Sequence, residues 1–545
     1  MKVSAAVAEI LKREGVQFLI GYPVNPIIEA SAEADIRTII VRQERTGLHM
    51  ADAVSRVTSG DQIGVFTMQH GPGTENAFGG VAQAYADSVP IVVLPAGFPR
   101  HLNNVPPNFS AVMNFQHVTK SAEQVTLASV VPDALRRAFT QAKNGRPRPT
   151  LVEIPTDVMA EEVSDPITYT PTTRFRSGPD PRAVDEVAGV LVAAERPVIY
   201  AGQGVHYAKA WPQLRQLAEL LEAPVTTTIQ GKSAFPENHP LALGCAGRSM
   251  PRPAWDALQN ADVIFGIGCS LARTNYGVTM PTVKTLIHAT LDAGDINKDV
   301  PVQYALIGDA GLTLDALIAA VSERLGGKPR GRGEAVKQQI ASGHARWLAE
   351  WKPKLTSDET PLSPYRVIWD LLHTVDVKNT IITHDAGSPR DQIVPFWVAE
   401  EPLSYIGWGK STQLGYGLGL AMGAKLARPD KLCINFWGDA AIGFTGMDFE
   451  TAVRERIPIM SMLMNNFSMA IELPIMQTAT RKYRSTDISG NYADMAKAFG
   501  GYGERVTDPN EIIPAIKRGI QKTQEGTPVL LEFITAKEIT FSTFK

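Results

Sequence analysis

Two polar pairs, Gly438-Asp439 and Asn465-Asn466, frame the stretch NFWGDAAIGFTGMDFETAVRERIPIMSMLMNNFSMAIE (435–472). A strand runs into the sharp turn Gly438-Asp439-Ala440, a helical segment follows, and a second apolar strand stops at Asn465-Asn466. In a doubly wound sheet both strand ends open on one edge, beside the N-terminus of the intervening helix, where anions bind. A carboxylate and an amide oxygen are thereby brought to one diphosphate-sized place. Magnesium takes hard oxygen ligands in an octahedron, often one or two from protein and the rest from phosphate and water, and Asp439 with Asn466 fits that demand.

The elements that would position these groups recur along the chain. Short runs such as FLIGYP (18–23), QIGVFTM (62–68), PIVVLPA (90–96) and PTLVEIP (149–155) alternate with stretches that are apolar every three or four residues. That alternation predicts parallel sheets covered by helices on both faces. It pauses over 160–180, resumes with RPVIYAGQG, APVTTT, DVIFGIG and TLIHATLDAG, pauses again over 326–362, and ends with TIITHDAG, KLCINFWGD, PIMSMLMNN and TPVLLEFITAK. At 545 residues the chain is too long for one core, and the pauses predict domains at 1–165, 182–328 and 360–545.

With 44% hydrophobic and 20% charged residues and a formal net charge of −3, no nucleic acid and no membrane is expected as a partner. The opening MKVSAAVAEILKREG reads as an amphipathic helix ending at Gly15, without the apolar stretch of a signal peptide, and points to the cytoplasm. Cys245, Cys269 and Cys433 lie in apolar stretches, form no CxxC pair and read as core residues.

Gly-Asp-Ala followed by Asn-Asn resembles the signature of the thiamine diphosphate-dependent family that includes acetohydroxyacid synthase, pyruvate decarboxylase and oxalyl-CoA decarboxylase, with Ala440 in the usual third glycine position. The resemblance implies an α/β fold of three doubly wound parallel-sheet domains of the thiamine diphosphate-binding type, ordered pyrimidine-binding, central, diphosphate-binding. It makes Asp439, Asn466 and the Ser468 carbonyl the Mg²⁺ ligands, and gives the N–H groups of Ala440 and Ala441, after Gly438, to the phosphates. HDAGSP (384–389), with Ser388, matches the segment that approaches the diphosphate. In GWGKSTQLGYGLG (407–419), Leu414 falls where a bulky apolar residue bends the cofactor.

In the first domain, Glu44 of IIVRQERTGLHMADAVSR (39–56) resembles the family's glutamate between strand and helix. A carboxyl group on the pyrimidine nitrogen promotes the tautomer that takes the proton from the thiazolium carbon, and burial should raise its pKa. QHGPGTENAFGG (69–80) resembles the glycine-rich turn near the cofactor, through Gly71 and Gly73, and leaves His70 open between proton donor and structural residue. Glu472, six residues after Asn466, matches a glutamate that handles protons in pyruvate decarboxylases, or is a plain surface residue. By the same resemblance the cofactor spans two subunits, Glu44 from one and Asp439 from the other, in a homodimer or homotetramer.

GYPVNPIIEA and AYADSVPIVVLPAG resemble the acetolactate synthase group, which implies decarboxylation and carboligation of 2-oxo acids. Two departures stand out: Ile475 where a tryptophan shapes the acceptor pocket, and Ser270 of GIGCSLART (266–274) where an arginine binds FAD. Whether FAD, another adenine nucleotide or nothing fills the central domain is therefore open. GDAAIGFTGMDFET (438–451) resembles oxalyl-CoA decarboxylase and 2-hydroxyacyl-CoA lyase, which keeps an acyl-CoA substrate as an alternative. A simple 2-oxo acid decarboxylase would explain Glu472, yet FPRHLNNVPPNF (98–109) lacks the paired histidines. A catalytically silent cofactor-binding protein is the last alternative, opposed by intact Glu44, Asp439 and Asn466.

Overall fold

A computed structural model describes residues 1–281 and 284–544. Eighteen strands form three six-stranded sheets, and every strand pair in them is parallel.

The first sheet holds β1 (Phe18–Gly21), β2 (Arg37–Ile40), β3 (Gly64–Met68), β4 (Ile91–Gly97), β5 (Ser121–Gln124) and β6 (Thr150–Pro155) in the order β2-β1-β3-β4-β6-β5. The second holds β7 (Pro197–Ala201), β8 (Val225–Thr227), β9 (Ala242–Cys245), β10 (Val263–Ile267), β11 (Thr285–Thr290) and β12 (Tyr304–Ile307) in the order β12-β11-β10-β7-β8-β9. The third holds β13 (Thr380–His384), β14 (Tyr405–Ile406), β15 (Leu432–Gly438), β16 (Met460–Asn465), β17 (Tyr502–Val506) and β18 (Val529–Ile534) in the order β14-β13-β15-β16-β18-β17.

The first and third sheets thus share one topology, with the direction of winding reversing between their first and third strands, β1/β3 and β13/β15. The central sheet reverses between β7 and β10. Ligands of such sheets bind beyond the strands' C-terminal ends at these reversals. Interior strands β3, β4 and β6 are buried along their whole length, as helix-covered strands must be.

One hydrophobic core runs without a break from the first unit into the third, joining Leu48 and Phe66 to Trp408, Leu418 and Trp437. At its centre the Glu44–Val57 helix lies against the Tyr416–Ala427 helix. Glycines let the backbones meet: a Cβ on Gly419 would stand 2.5 Å from His49 Cβ, and one on Gly423 would stand 2.2 Å from the Met50 carbonyl oxygen. Beside this contact Arg56 bonds Asp52 and Asp87 and donates to the Gly407 carbonyl at 3.0 Å, so a buried ion network crosses the same junction.

The stretch 326–362 is not the bare connector its composition predicts. Gly333–Leu355 is a 23-residue helix that buries only Ile340, Trp347 and Leu355 besides its first residue. So narrow an apolar stripe among charged residues gives a weak helical signal in sequence. Among the described residues no helix is long and apolar enough to cross a membrane.

Candidate active site

Asp439 opens a short helix directly after β15, and its side chain is only 3% exposed. Its Oδ1 accepts the N–H of Ala440 at 2.9 Å, and its Oδ2 accepts the N–H groups of Asn466 and Ser468, both at 3.1 Å. Burial pushes this carboxyl up to about 6 against the pull of those N–H groups.

The two asparagines at the end of β16 do different work. Asn465 donates to Glu532 at 2.7 Å and accepts from the N–H of Phe467 at 3.0 Å, which closes a turn around Phe467 at φ +54°. Asn466 is left over: its Oδ1 is buried and has no hydrogen-bond partner, and neither has the buried Oγ of Ser468. A buried acceptor without a partner is costly, and an oxygen-seeking cation beside Asp439 would satisfy it. The donor set therefore fits magnesium. The Ser468 carbonyl accepts the N–H of Ala470 at 2.9 Å, which occupies one of its two lone pairs.

Ser388 begins a helix after Gly387, at φ +81°, and Leu414 precedes Gly415, at φ +83°. Ser388, Leu414, Gly438, Ala440 and Ala441 line one cleft with Asp439, Asn466, Ser468 and Glu472. Every described residue of that cleft lies between 386 and 536. The N–H of Ala440, expected to meet a phosphate, is engaged by the Asp439 carboxylate here. Glu472 closes the turn Ala470–Glu472 on the rim, and Ile475 beyond it is 78% exposed.

Glu44 is the first residue of its helix and is 4% exposed. Burial, chiefly, raises its pKa above the usual carboxylate value; its own backbone N–H and the Asn76 side chain pull it down, and the negative charge of Asp448 adds to the rise. Gly73 makes room for it, since a Cβ there would stand 3.3 Å from Glu44 Oε1. Gly71, at φ +60°, turns the chain from β3 into the next helix. His70 stacks flat on Phe98, with ring centroids 4.3 Å apart. Asp439, Asn466, Leu414 and Glu472 thus share one cleft, and neither Glu44 nor Gly73 lines it.

Sequence reasoning missed Asp385. It is fully buried, pushed by burial up to about 7, and accepts the N–H groups of Ala386 (2.7 Å), Gly415 (2.9 Å) and Gly417 (3.0 Å). It thereby fixes the backbone next to Leu414. The segment HDAGSP was legible as a cofactor approach, but nothing in it signals that its aspartate holds a loop thirty residues away.

Three stretches match thiamine pyrophosphate enzyme families: an N-terminal TPP binding domain over residues 1–126, a central domain over 184–317 and a C-terminal TPP binding domain over 385–533. Probable acetolactate synthase large subunits of Methanococcus aeolicus and Methanocaldococcus jannaschii are each 30% identical to the chain, over 98% of it and 92% of their own length. The large subunit of acetolactate synthase isozyme 3 from Escherichia coli is 27% identical over 95% of this chain and 92% of its own.

Proposed function

The chain belongs to the thiamine pyrophosphate enzyme family and is a thiamine diphosphate-dependent enzyme of the acetolactate synthase kind, and from that premise we propose that it decarboxylates a 2-oxo acid and joins the retained fragment to a second carbonyl. The observation that carries this is the Asp439–Asn466 turn, with its buried, unpartnered amide oxygen, in a chain similar to acetolactate synthases over nearly its full length.

When bound, thiamine diphosphate supplies a nucleophilic carbon and an electron sink. Asp439, Asn466 and the Ser468 carbonyl would hold Mg²⁺, which would supply charge to bind the diphosphate. Among the described residues no group of three His, Cys, Asp or Glu could hold a metal ion. Glu44 keeps a proton at its carboxyl against the pyrimidine nitrogen, a task its burial favours. Leu414, beside the backbone that Asp385 fixes, would supply the bulky apolar contact against the bound cofactor. Glu472 exchanges a proton with the bound reactant, and His70 is a second candidate for that step.

In this reading residues 1–165 bind the pyrimidine, 182–328 form the central domain and 360–545 bind the diphosphate. Because Glu44 does not line the Asp439 cleft of its own chain, the active unit in this reading is a homodimer in which Glu44 of one subunit completes the cleft of the other. Exposed Phe444, near the end of the Asp439 helix, exposed Met447, on the turn after it, and exposed Phe78 support a covered surface there. The cleft beyond β7 and β10 takes an adenine nucleotide, FAD or ADP, as clefts at such reversals do.

The three relatives named above are acetolactate synthase large subunits, and they do not favour an acyl-CoA substrate, a simple decarboxylase or a silent protein. Incubation of the Mg²⁺- and thiamine diphosphate-loaded protein with pyruvate and longer 2-oxo acids, singly and in pairs, tests the proposal by mass spectrometry. Carbon dioxide with a 2-hydroxy-3-oxo acid is the expected outcome. Turnover of oxalyl-CoA or a 2-hydroxyacyl-CoA alone would replace it.

A further inference from the structure

One cleft is walled by all three units. It opens where the central sheet reverses, with the turns at Gly204 and Gly268 on one side, Arg146 from the first unit and Lys410 from the third. Most of its charged groups already have partners. Arg146 donates to Ser88 at 2.9 Å and pairs with Asp295 at 2.6 Å and Asp292 at 3.4 Å. Asp295 also takes Lys298 at 2.8 Å, and Asp309 caps the helix that follows it.

Two cations of the cleft have, among the described residues, no side-chain hydrogen bond and no ion pair: the exposed Arg273 and the half-buried Lys410. Burial first, then the positive charge of Arg146, hold the pKa of Lys410 down to about 8. The charges of Asp87 and Asp295 act on it without closing an ion pair, which leaves its ammonium free to take an anion. Ser270, on the same wall, brings no charge.

Its place on the chain adds a second point. Lys410 lies on the segment between two anchored ends. At one end the N–H of Trp408 donates to His384 at 3.2 Å; at the other Gln413 donates to the Gly79 carbonyl at 2.7 Å, and Asp385 holds Gly415 and Gly417. Leu414 sits within the second anchorage.

We propose that Lys410 is the phosphate-recognition group of the central cleft, reaching from the diphosphate-binding unit to a nucleotide held by the central unit, so that nucleotide binding orders the loop that carries Leu414. This rests on the reading of that cleft as an adenine nucleotide site. A lysine is a compact point charge suited to phosphate and makes no demand for bidentate geometry.

The test uses full-length protein loaded with Mg²⁺ and thiamine diphosphate. Calorimetric titration with ADP against adenosine, and with FAD against riboflavin, isolates what the phosphates contribute. In the native protein the phosphorylated member of one pair should bind at least tenfold more tightly than its unphosphorylated partner. That preference should collapse in Lys410→Met and Lys410→Gln and persist in Lys410→Arg. Hydrogen exchange over residues 409–415 should slow with the nucleotide in the native protein and not in Lys410→Met. A preference undiminished in both neutral variants, with nucleotide still bound, overturns the role of Lys410 and spares the nucleotide site. A native protein that binds none of the four probes overturns both.

Discussion

The Asp439 carboxylate accepts the backbone N–H of Asn466 at 3.1 Å, while the Asn466 side-chain oxygen stays buried without a partner. The bond fixes the turn and the free oxygen serves the cation. Asn466→Ala should therefore weaken Mg²⁺-dependent uptake of thiamine diphosphate by at least about tenfold, and Asp439→Ala by more, because it removes a ligand and the acceptor of three N–H groups together. Fluorescence titration at varied Mg²⁺ measures this. Asn465→Ala should instead lower the melting temperature, since that side chain closes the Phe467 turn and holds Glu532.

Glu44→Gln keeps the shape and hydrogen-bonding capacity of a buried residue and removes its proton chemistry. Cofactor binding should stay within a few-fold of native while turnover falls by about 10²- to 10⁴-fold. Native turnover in the variant would take Glu44 out of the mechanism.

The junction between the first and third units admits no side chain at Gly423. Gly423→Ala drives a methyl group toward the Met50 carbonyl, which belongs to a helix and has little freedom to move. Overpacking of this kind costs about 1–3 kcal/mol. The variant should melt several degrees lower in a thermal scan, whereas Gly443→Ala, where a Cβ meets nothing within 4 Å, should not.

How much of this was legible in the sequence depended on burial. Of the strands read from it, β1, β3, β4, β6, β7, β10, β13, β15, β16 and β18 lie inside the sheets, where both faces are covered and the residues run apolar, and the edge strand β2 is read as the strand that leads to Glu44. Those left unread, β5, β9, β12, β14 and β17, are all sheet edges. An edge strand such as Ser121–Gln124 is half-buried throughout and carries no apolar run to announce it. The site divides in the same way. Asp439, Asn466 and Glu44 sit at strand ends that a local pattern reveals, whereas Asp385 and Lys410 owe their meaning to groups far away in the chain, which no spacing records.

Glu153 offers a pH test of the fold apart from the site. It is 3% exposed, accepts only the Gln124 amide at 2.8 Å, and burial raises its pKa from 4.5 to about 7. An acid whose folded pKa is raised contributes its full stability below the unfolded value and loses it as pH rises through the folded one. Stability should therefore fall between pH 4.5 and about 7, by up to about 3 kcal/mol. Glu153→Gln keeps the Gln124 bond and cannot ionise. Its melting temperature should match the native protein near pH 4.5 and exceed it at pH 8, and parallel curves across that range would exclude the effect.

Glu472 separates binding from chemistry. It lines the cleft with Asp439, Asn466 and Leu414, and its backbone carbonyl accepts the N–H groups of Ile475 at 3.0 Å and Met476 at 2.8 Å. Among the described residues its carboxylate has no such bond, which leaves it available to a reactant. Glu472→Gln keeps the backbone turn, so cofactor uptake and melting temperature should remain near native. If the carboxylate moves a proton, kcat should fall by about 10²-fold or more, with the ratio of released aldehyde to ligated product changed. If Glu472 only covers the rim, KM alone should rise and the product ratio should persist. Measurement of kcat and KM, with both products quantified in each assay, decides between the two.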